Sequence, residues 1–177
     1  RPQVEVTWVV LAAGGQRERE ARASAEAFLG ACERRTIVVH GFRDGFLPYV
    51  GGEAKEVFEE LKGVDPDLIL THTRGDLHQD HRLVSELTWN TWRNHLILEY
   101  EIPKYDGDLG APNLFVPLDQ SLVEQKLRLL EEHFPSQRGK HWFDAELFRG
   151  LMRLRGAEAA TRYAEAFTCR KLSLVVG

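Results

Sequence analysis

The sequence predicts an α/β fold: a Rossmann-like, mostly parallel sheet with helices on both faces, three layers in all. Three observations predict it. Strand-like and helix-like patterns alternate at least three times along the 177 residues, the order that right-handed βαβ crossovers produce. The strand-like runs are short, rich in β-branched residues and closed by Gly or Pro-Asp, as buried strands are. The chain is 43% hydrophobic and 28% charged, which are globular values, and a chain of this length buries about 70% of its unfolded surface. No repeat, low-complexity tract or linker divides it, so residues 1–177 read as a single domain.

The elements follow in order. Val4–Leu11 is β-branched and apolar and stops at Gly14-Gly15, a buried strand. Residues 17–29 form a helix, because Ala21, Ala25, Phe28 and Leu29 fall at i, i+4, i+7 and i+8, and Gly30 closes it. Thr36–His40 is a second strand, ended by Gly41. Ala54, Val57, Phe58 and Leu61 give one apolar helical face. After Asp65-Pro66-Asp67 comes a third strand, Leu68–His72, then a helix over about Arg82–Arg93 and a fourth strand, His95–Glu101. A loop with Pro103, Gly107, Gly110 and Pro112 follows. Val123, Leu127 and Leu130 mark a helix closed by His133-Phe134-Pro135, Leu147, Leu151 and Leu154 mark another, and Lys171–Val176 reads as a last strand or extended edge.

Charge and composition exclude several function classes. Twenty-three Lys+Arg against 27 Asp+Glu give a net charge of −4, without the basic surplus that general nucleic-acid binding needs. No apolar run approaches the ~18 residues of a membrane span, so neither nucleic acid nor membrane is an expected partner. Cys32 and Cys169 are too few and too far apart for a disulfide framework or a zinc ribbon. They read as buried thiols in a reducing, cytoplasmic setting. Assembly with copies of itself is left open. The chain opens Arg1-Pro2-Gln3, without Met.

In parallel α/β sheets, ligands bind at the carboxyl ends of the strands. The loops to inspect are therefore about 12–20, 41–49, 72–81 and 101–113. The third holds three His and two Asp within ten residues, from His72 to His81, the densest polar constellation in the chain. In His78-x-Asp80-His81 one imidazole can hold a metal while the other faces a substrate bound to it, with a carboxylate to fix a tautomer. The spacing alone is weakly specific. A catalytic zinc takes three protein ligands and an open position, whereas solvated loop histidines with Asp80 helping to cap the next helix also fit.

Other residues have plainer readings. Leu11–Arg17 is similar to the Leu-Ala-Ala-Gly-x-Gly-x-Arg loop of sugar nucleotidyltransferases, but Gln16 stands at the second required Gly and the Arg comes one residue early. A two-glycine strand-to-helix turn suffices there. His40, His133 and His141 lie apart from the cluster and read as structural, and Trp89, Trp92 and Trp142 read as packing residues.

The segments Val6–Leu11, the Arg/Glu-rich helix ending Phe28-Leu29-Gly30, Gly41-Phe42-Arg43-Asp44-Gly45, Pro66–His72, Asp76-x-His78-x-Asp80-His81-Arg82 and Tyr163–Phe167 together resemble the LmbE/PIG-L family of zinc-dependent N-acetylglucosaminyl deacetylases. The likeness covers most of the chain. Its most specific part is His-x-Asp-His after a Pro-Asp-Leu strand, with Gln79 where Pro is common. The resemblance implies that His81 is a zinc ligand, that His78 as imidazolium stabilises the oxyanion, and that Asp80 orients one of these imidazoles. It implies sugar hydroxyls on Asp44 and on Arg17, with Arg19 the alternative register.

The family's other two zinc ligands and its general-base Asp lie in a His-Pro-Asp-Asp segment after its first strand. This sequence begins where the family's second strand begins. A central strand contributes several side-chain burials of about 1.5–3 kcal/mol each, against a total stability of about 5–15 kcal/mol. The remaining zinc ligands are therefore expected upstream of Arg1. The implied activity is hydrolysis of an N-acetyl group on an amino sugar, a small-molecule substrate. The alternatives are an inactive carbohydrate-binding relative and a sugar-nucleotide-binding enzyme using Gly14-Gly15.

Overall fold

The computed structural model describes residues 4–173. They form an α/β protein of two compact units. One comprises residues up to Asp44 with Asp119–Arg149, and the other Gly45–Leu118 with residues from Gly150 onward.

In the first unit β1 (Glu5–Val10) runs parallel to β2 (Arg34–Val39), with Glu5 opposite Arg34 and Val10 opposite Val39. Between them lies α1 (Gln16–Phe28). The glycine at its N-cap, Gly15, has φ +60°, a backbone conformation that glycine adopts without steric cost, which accounts for the second of the paired glycines. Helix α1 packs on β2 and on α4 (Gln120–His133). Leu11, Ala13, Ala25, Leu29, Val123, Leu127 and Leu129 form the buried core.

In the second unit a four-stranded sheet has the order β3-β4-β6-β5, with β3 at Leu68–His72, β4 at Leu96–Tyr100, β5 at Leu114–Pro117 and β6 at Ala164–Cys169. Strands β3 and β4 are parallel, whereas β6 runs antiparallel to both β4 and β5. The parallel expectation thus holds for the two pairs joined through helices and fails for the last two strands. Helix α3 (Gln79–Trp92) packs on β3 and β4, α2 (Gly51–Leu61) packs on α3, and α5 (Ala145–Glu158) precedes β6. Leu47, Ala54, Phe58, Leu87, Ile97, Leu98 and Met152 are buried.

Several expectations need correction. The predicted final strand starts at Lys171, but Lys171–Ser173 have no regular structure and 174–176 lie outside the described residues. The last described strand is β6, in a stretch of two Ala, Glu and Thr whose apolar signal is weak. In α5, Leu147 and Leu154 are exposed while Met152, Arg155 and Gly156 are buried. An ion pair, not an apolar stripe, sets that face: Arg155 reaches Glu101 (Nη2 to Oε1, 2.7 Å) and the Gly110 carbonyl. Both cysteines are free, but half-buried instead of buried.

Candidate functional site

The loop after β3 is built by its own side chains. The Asp76 Oδ1 atom accepts the His78 backbone N–H at 2.8 Å, an Asx turn that delivers the chain into α3. His78 stands at the helix N-cap and His81 within the first turn. The other oxygen of Asp76 bonds the Nδ1 of His81 at 2.9 Å. The ring of His81 lies between those of His72 and His78, stacked on His72 with centroids 4.2 Å apart and tilted by 34° against His78 with centroids 4.4 Å apart.

Charge and burial shape these groups differently. Burial pushes the Asp76 carboxyl up, but the hydrogen bonds from His81, from the His78 amide and from Lys104, with the charge of His81, outweigh it and hold the pKa at about 2. Burial drives His72 down to about 3, with repulsion from His81 added and the attraction of Asp76 only partly offsetting both. His72 is therefore a neutral platform at pH 7, its Nε2 3.4 Å from the Tyr100 hydroxyl. The buried Nδ1 atoms of His72 and His78 have no hydrogen-bond partner among the described residues. Such orphans are rare in folded proteins unless water or a ligand meets them.

The loop after β4 closes on the same cluster. Lys104 Nζ lies 3.1 Å from Asp76 Oδ1 and also contacts Asp108. In turn, Asp108 accepts the Leu77 N–H at 2.7 Å. Asp80 does not orient an imidazole as expected. Its two oxygens accept the backbone N–H groups of Gly45, at 2.7 Å, and of Leu47, at 3.1 Å. It holds the Gly45–Leu47 loop against α3, and the Gln79 side chain adds a bond to the Gly45 carbonyl. The carboxylate that anchors an imidazole is Asp76.

The first unit carries the other two candidates. Arg17 Nη1 donates to Asp44 Oδ2 at 2.6 Å, with both side chains about half exposed. Of the two arginine registers, Arg17 is the one that reaches Asp44. His40, His133 and His141 lie in this unit, and the three neighbouring imidazoles in the other. Trp89 and Trp92 spend their indole N–H groups on Glu99 and on the Val64 carbonyl, as packing residues do.

A model of the family described as PIG-L: GlcNAc-PI de-N-acetylase matches residues 3–92. The chain belongs to the PIG-L family. The matched segment runs from the start of the chain to the end of α3 and contains Arg17, Asp44, Asp76, His78, Asp80 and His81. Lys104 and Asp108 lie beyond it.

Solved structures share the PIG-L chain's fold. The conserved protein TT1542 from Thermus thermophilus has a TM-score of 0.73 at 18% identity, covering 97% of this chain and 84% of that one. The N,N'-diacetylchitobiose deacetylase from Pyrococcus horikoshii, in complex with its inhibitor, has a TM-score of 0.66 at 20% identity, covering 93% and 72%. GalB, the 4-carboxy-2-hydroxymuconate hydratase from Pseudomonas putida, has a TM-score of 0.69 at 18% identity, covering 98% and 87%. At these identities the likeness is one of fold. No curated protein sequence matches the chain.

The donor set of the PIG-L chain fits a metal only in part. His81 could serve as one ligand: its Nδ1 is taken by a carboxylate, an arrangement that orients imidazoles in metal sites, and its Nε2 has no protein partner among the described residues. The described residues contain no group of three or more His, Cys, Asp or Glu side chains placed around a common metal position. They do not by themselves assemble a zinc site. No helix among them is long and apolar enough to cross a membrane.

Proposed function

We propose that this PIG-L chain hydrolyses the acetamide of an N-acetylated amino sugar, releasing acetate and a free amine. One observation supports it most: an imidazole fixed by a buried carboxylate, His81 on Asp76, beside a second imidazole, His78, tilted against it, whose buried Nδ1 has no partner among the described residues. A fixed ligand beside an uncommitted donor is what acyl transfer needs, one group to hold the reactive centre and one to meet the developing oxyanion.

His81 presents Nε2 as a ligand, with its ring held by Asp76. Zinc, when bound, supplies a water of lowered pKa and a Lewis acid for the carbonyl. His78 faces the acetyl carbonyl and donates to its oxygen as negative charge develops there. Within the first unit, Asp44 is held by Arg17 through one oxygen and keeps another that can accept sugar hydroxyls, which suits an acceptor-only group. The substrate is a small molecule, and the family description and the chitobiose deacetylase both point to a glucosamine-type sugar.

The absence of a three-ligand group among the described residues favours a second reading, a carbohydrate-binding relative without hydrolysis. The hydratase neighbour shows that this fold hosts other reactions. The test is acetate and amine release, with zinc supplied, from N-acetylglucosamine, N,N'-diacetylchitobiose and an N-acetylglucosaminyl inositol lipid. Acetate and amine in equal amounts from at least one is the expected result. Sugar binding without acetate would establish the second reading, and hydration of an unsaturated dicarboxylate would overturn both.

A further inference from the structure

We propose that Lys104 is a positioning residue for His81, acting through Asp76. This rests on the deacetylase reading, in which His81 is the group that must be held. Lys104 lies on the loop after β4, outside the family-matched residues 3–92. Its ammonium is 7% exposed and the Asp76 carboxylate 1% exposed. A pair this deep costs desolvation unless its geometry is well satisfied, and here every oxygen has a defined donor. Asp76 Oδ1 receives Lys104 at 3.1 Å and the His78 N–H at 2.8 Å, leaving Oδ2 for His81 Nδ1 at 2.9 Å. Two donors on one oxygen fix the rotation of the carboxylate, so the second oxygen points in one direction and sets the plane of the His81 ring. The far side of the ammonium rests on Asp108, which holds the Leu77 N–H, with Asp106 at 3.7 Å.

A plainer role is possible on the same contacts: Lys104 would only pin its loop to the turn at Leu77. The two roles separate in the imidazole itself. In the 177-residue chain labelled with 15N, the hydrogen-bonded Nδ1–H of His81 gives a protected proton resonance. Lys104→Met is expected to lose that resonance to solvent exchange, and Lys104→Arg, which keeps the charge, to retain it. Asp108→Asn, which cuts the loop anchor and leaves the Lys104–Asp76 contact, is also expected to retain it. In the active enzyme Lys104→Met lowers kcat by about 10–100-fold, as loss of an outer partner does, with KM little changed and most of the rate restored by Lys104→Arg.

A Lys104→Met variant that keeps the resonance overturns the proposal, as does loss of it in Asp108→Asn. If Lys104→Met does not fold, Lys104→Arg decides: a folded Arg variant lacking the resonance overturns the proposal, and one retaining it beside a protected Asp108→Asn supports it. If the enzyme with its full set of zinc ligands releases no acetate from any sugar, the deacetylase reading falls while the resonance still reports on positioning.

Discussion

Asp76 holds three groups at once: the backbone of His78, the ring of His81 and the ammonium of Lys104. Removing its charge should therefore act on the site before it acts on the fold. For Asp76→Asn the expected outcome is a loss of activity of about 10–100-fold in a protein that still folds cooperatively, checked by steady-state rates beside thermal denaturation. Unchanged rates would mean that His81 is held by its ring stack alone. His78, Asp80 and His81 stood out in the sequence because three His and two Asp crowd ten residues. The job of Asp80 did not, since its partners Gly45 and Leu47 lie more than thirty positions away. The role of Asp76 had a local signal, an Asp two residues before a helix N-cap, which is the spacing of an Asx turn. Lys104 had none, because its value comes from a contact that only the folded loop creates.

Among the elements, α3 owes its link to the Gly45–Leu47 loop to Asp80. Asp80→Ala leaves two backbone N–H groups without their charged acceptor, one of them on the buried Leu47. The expected cost is about 1.5–3 kcal/mol, read as a lower urea midpoint with an unchanged slope. Helix α5 ends under a different constraint. A Cβ on Gly156 would lie 2.5 Å from the Arg162 carbonyl oxygen, and backbone cannot yield as a flexible side chain does. Gly156→Ala should destabilise by about 1–3 kcal/mol or more, and a neutral result would contradict the close approach. In α1, burial raises the Glu20 carboxyl, but bonds from the Ser136 hydroxyl and amide and from Gln16, with the charge of Arg17, outweigh it and hold the pKa below its ordinary 4.5. A depressed acid stabilises the folded state above its unfolded pKa, and that contribution is lost as pH falls through the folded value. Urea midpoints should therefore drop less on acidification in Glu20→Gln than in the unaltered chain, and equal drops would show that Glu20 does not contribute.

For the molecule as a whole, the alternation of patterns made β1 through β4 and the helices between them legible, because each apolar run there is short, β-branched and punctuated. The second half was less so. Leu114–Pro117 is four residues ending in proline, and Ala164–Cys169 has Phe167 as its one large apolar side chain. Their strand character comes from pairing with each other and with β4, which no local pattern encodes. The antiparallel half of the sheet followed from that omission. The candidate site was legible to the extent that the sequence sets two histidines three residues apart; that one of them is tied to a carboxylate is visible only in the folded loop. The direct test is metal content measured beside steady-state kinetics for His78→Ala and His81→Ala, in a form of the enzyme that carries its full set of zinc ligands. His81→Ala should lose zinc and activity together. His78→Ala should keep its zinc and lose about 10²–10³ in kcat, roughly 2.7–4 kcal/mol, with KM little changed. Equal loss of zinc in both variants, or a His78→Ala variant of full rate, would contradict the division of labour between the two imidazoles.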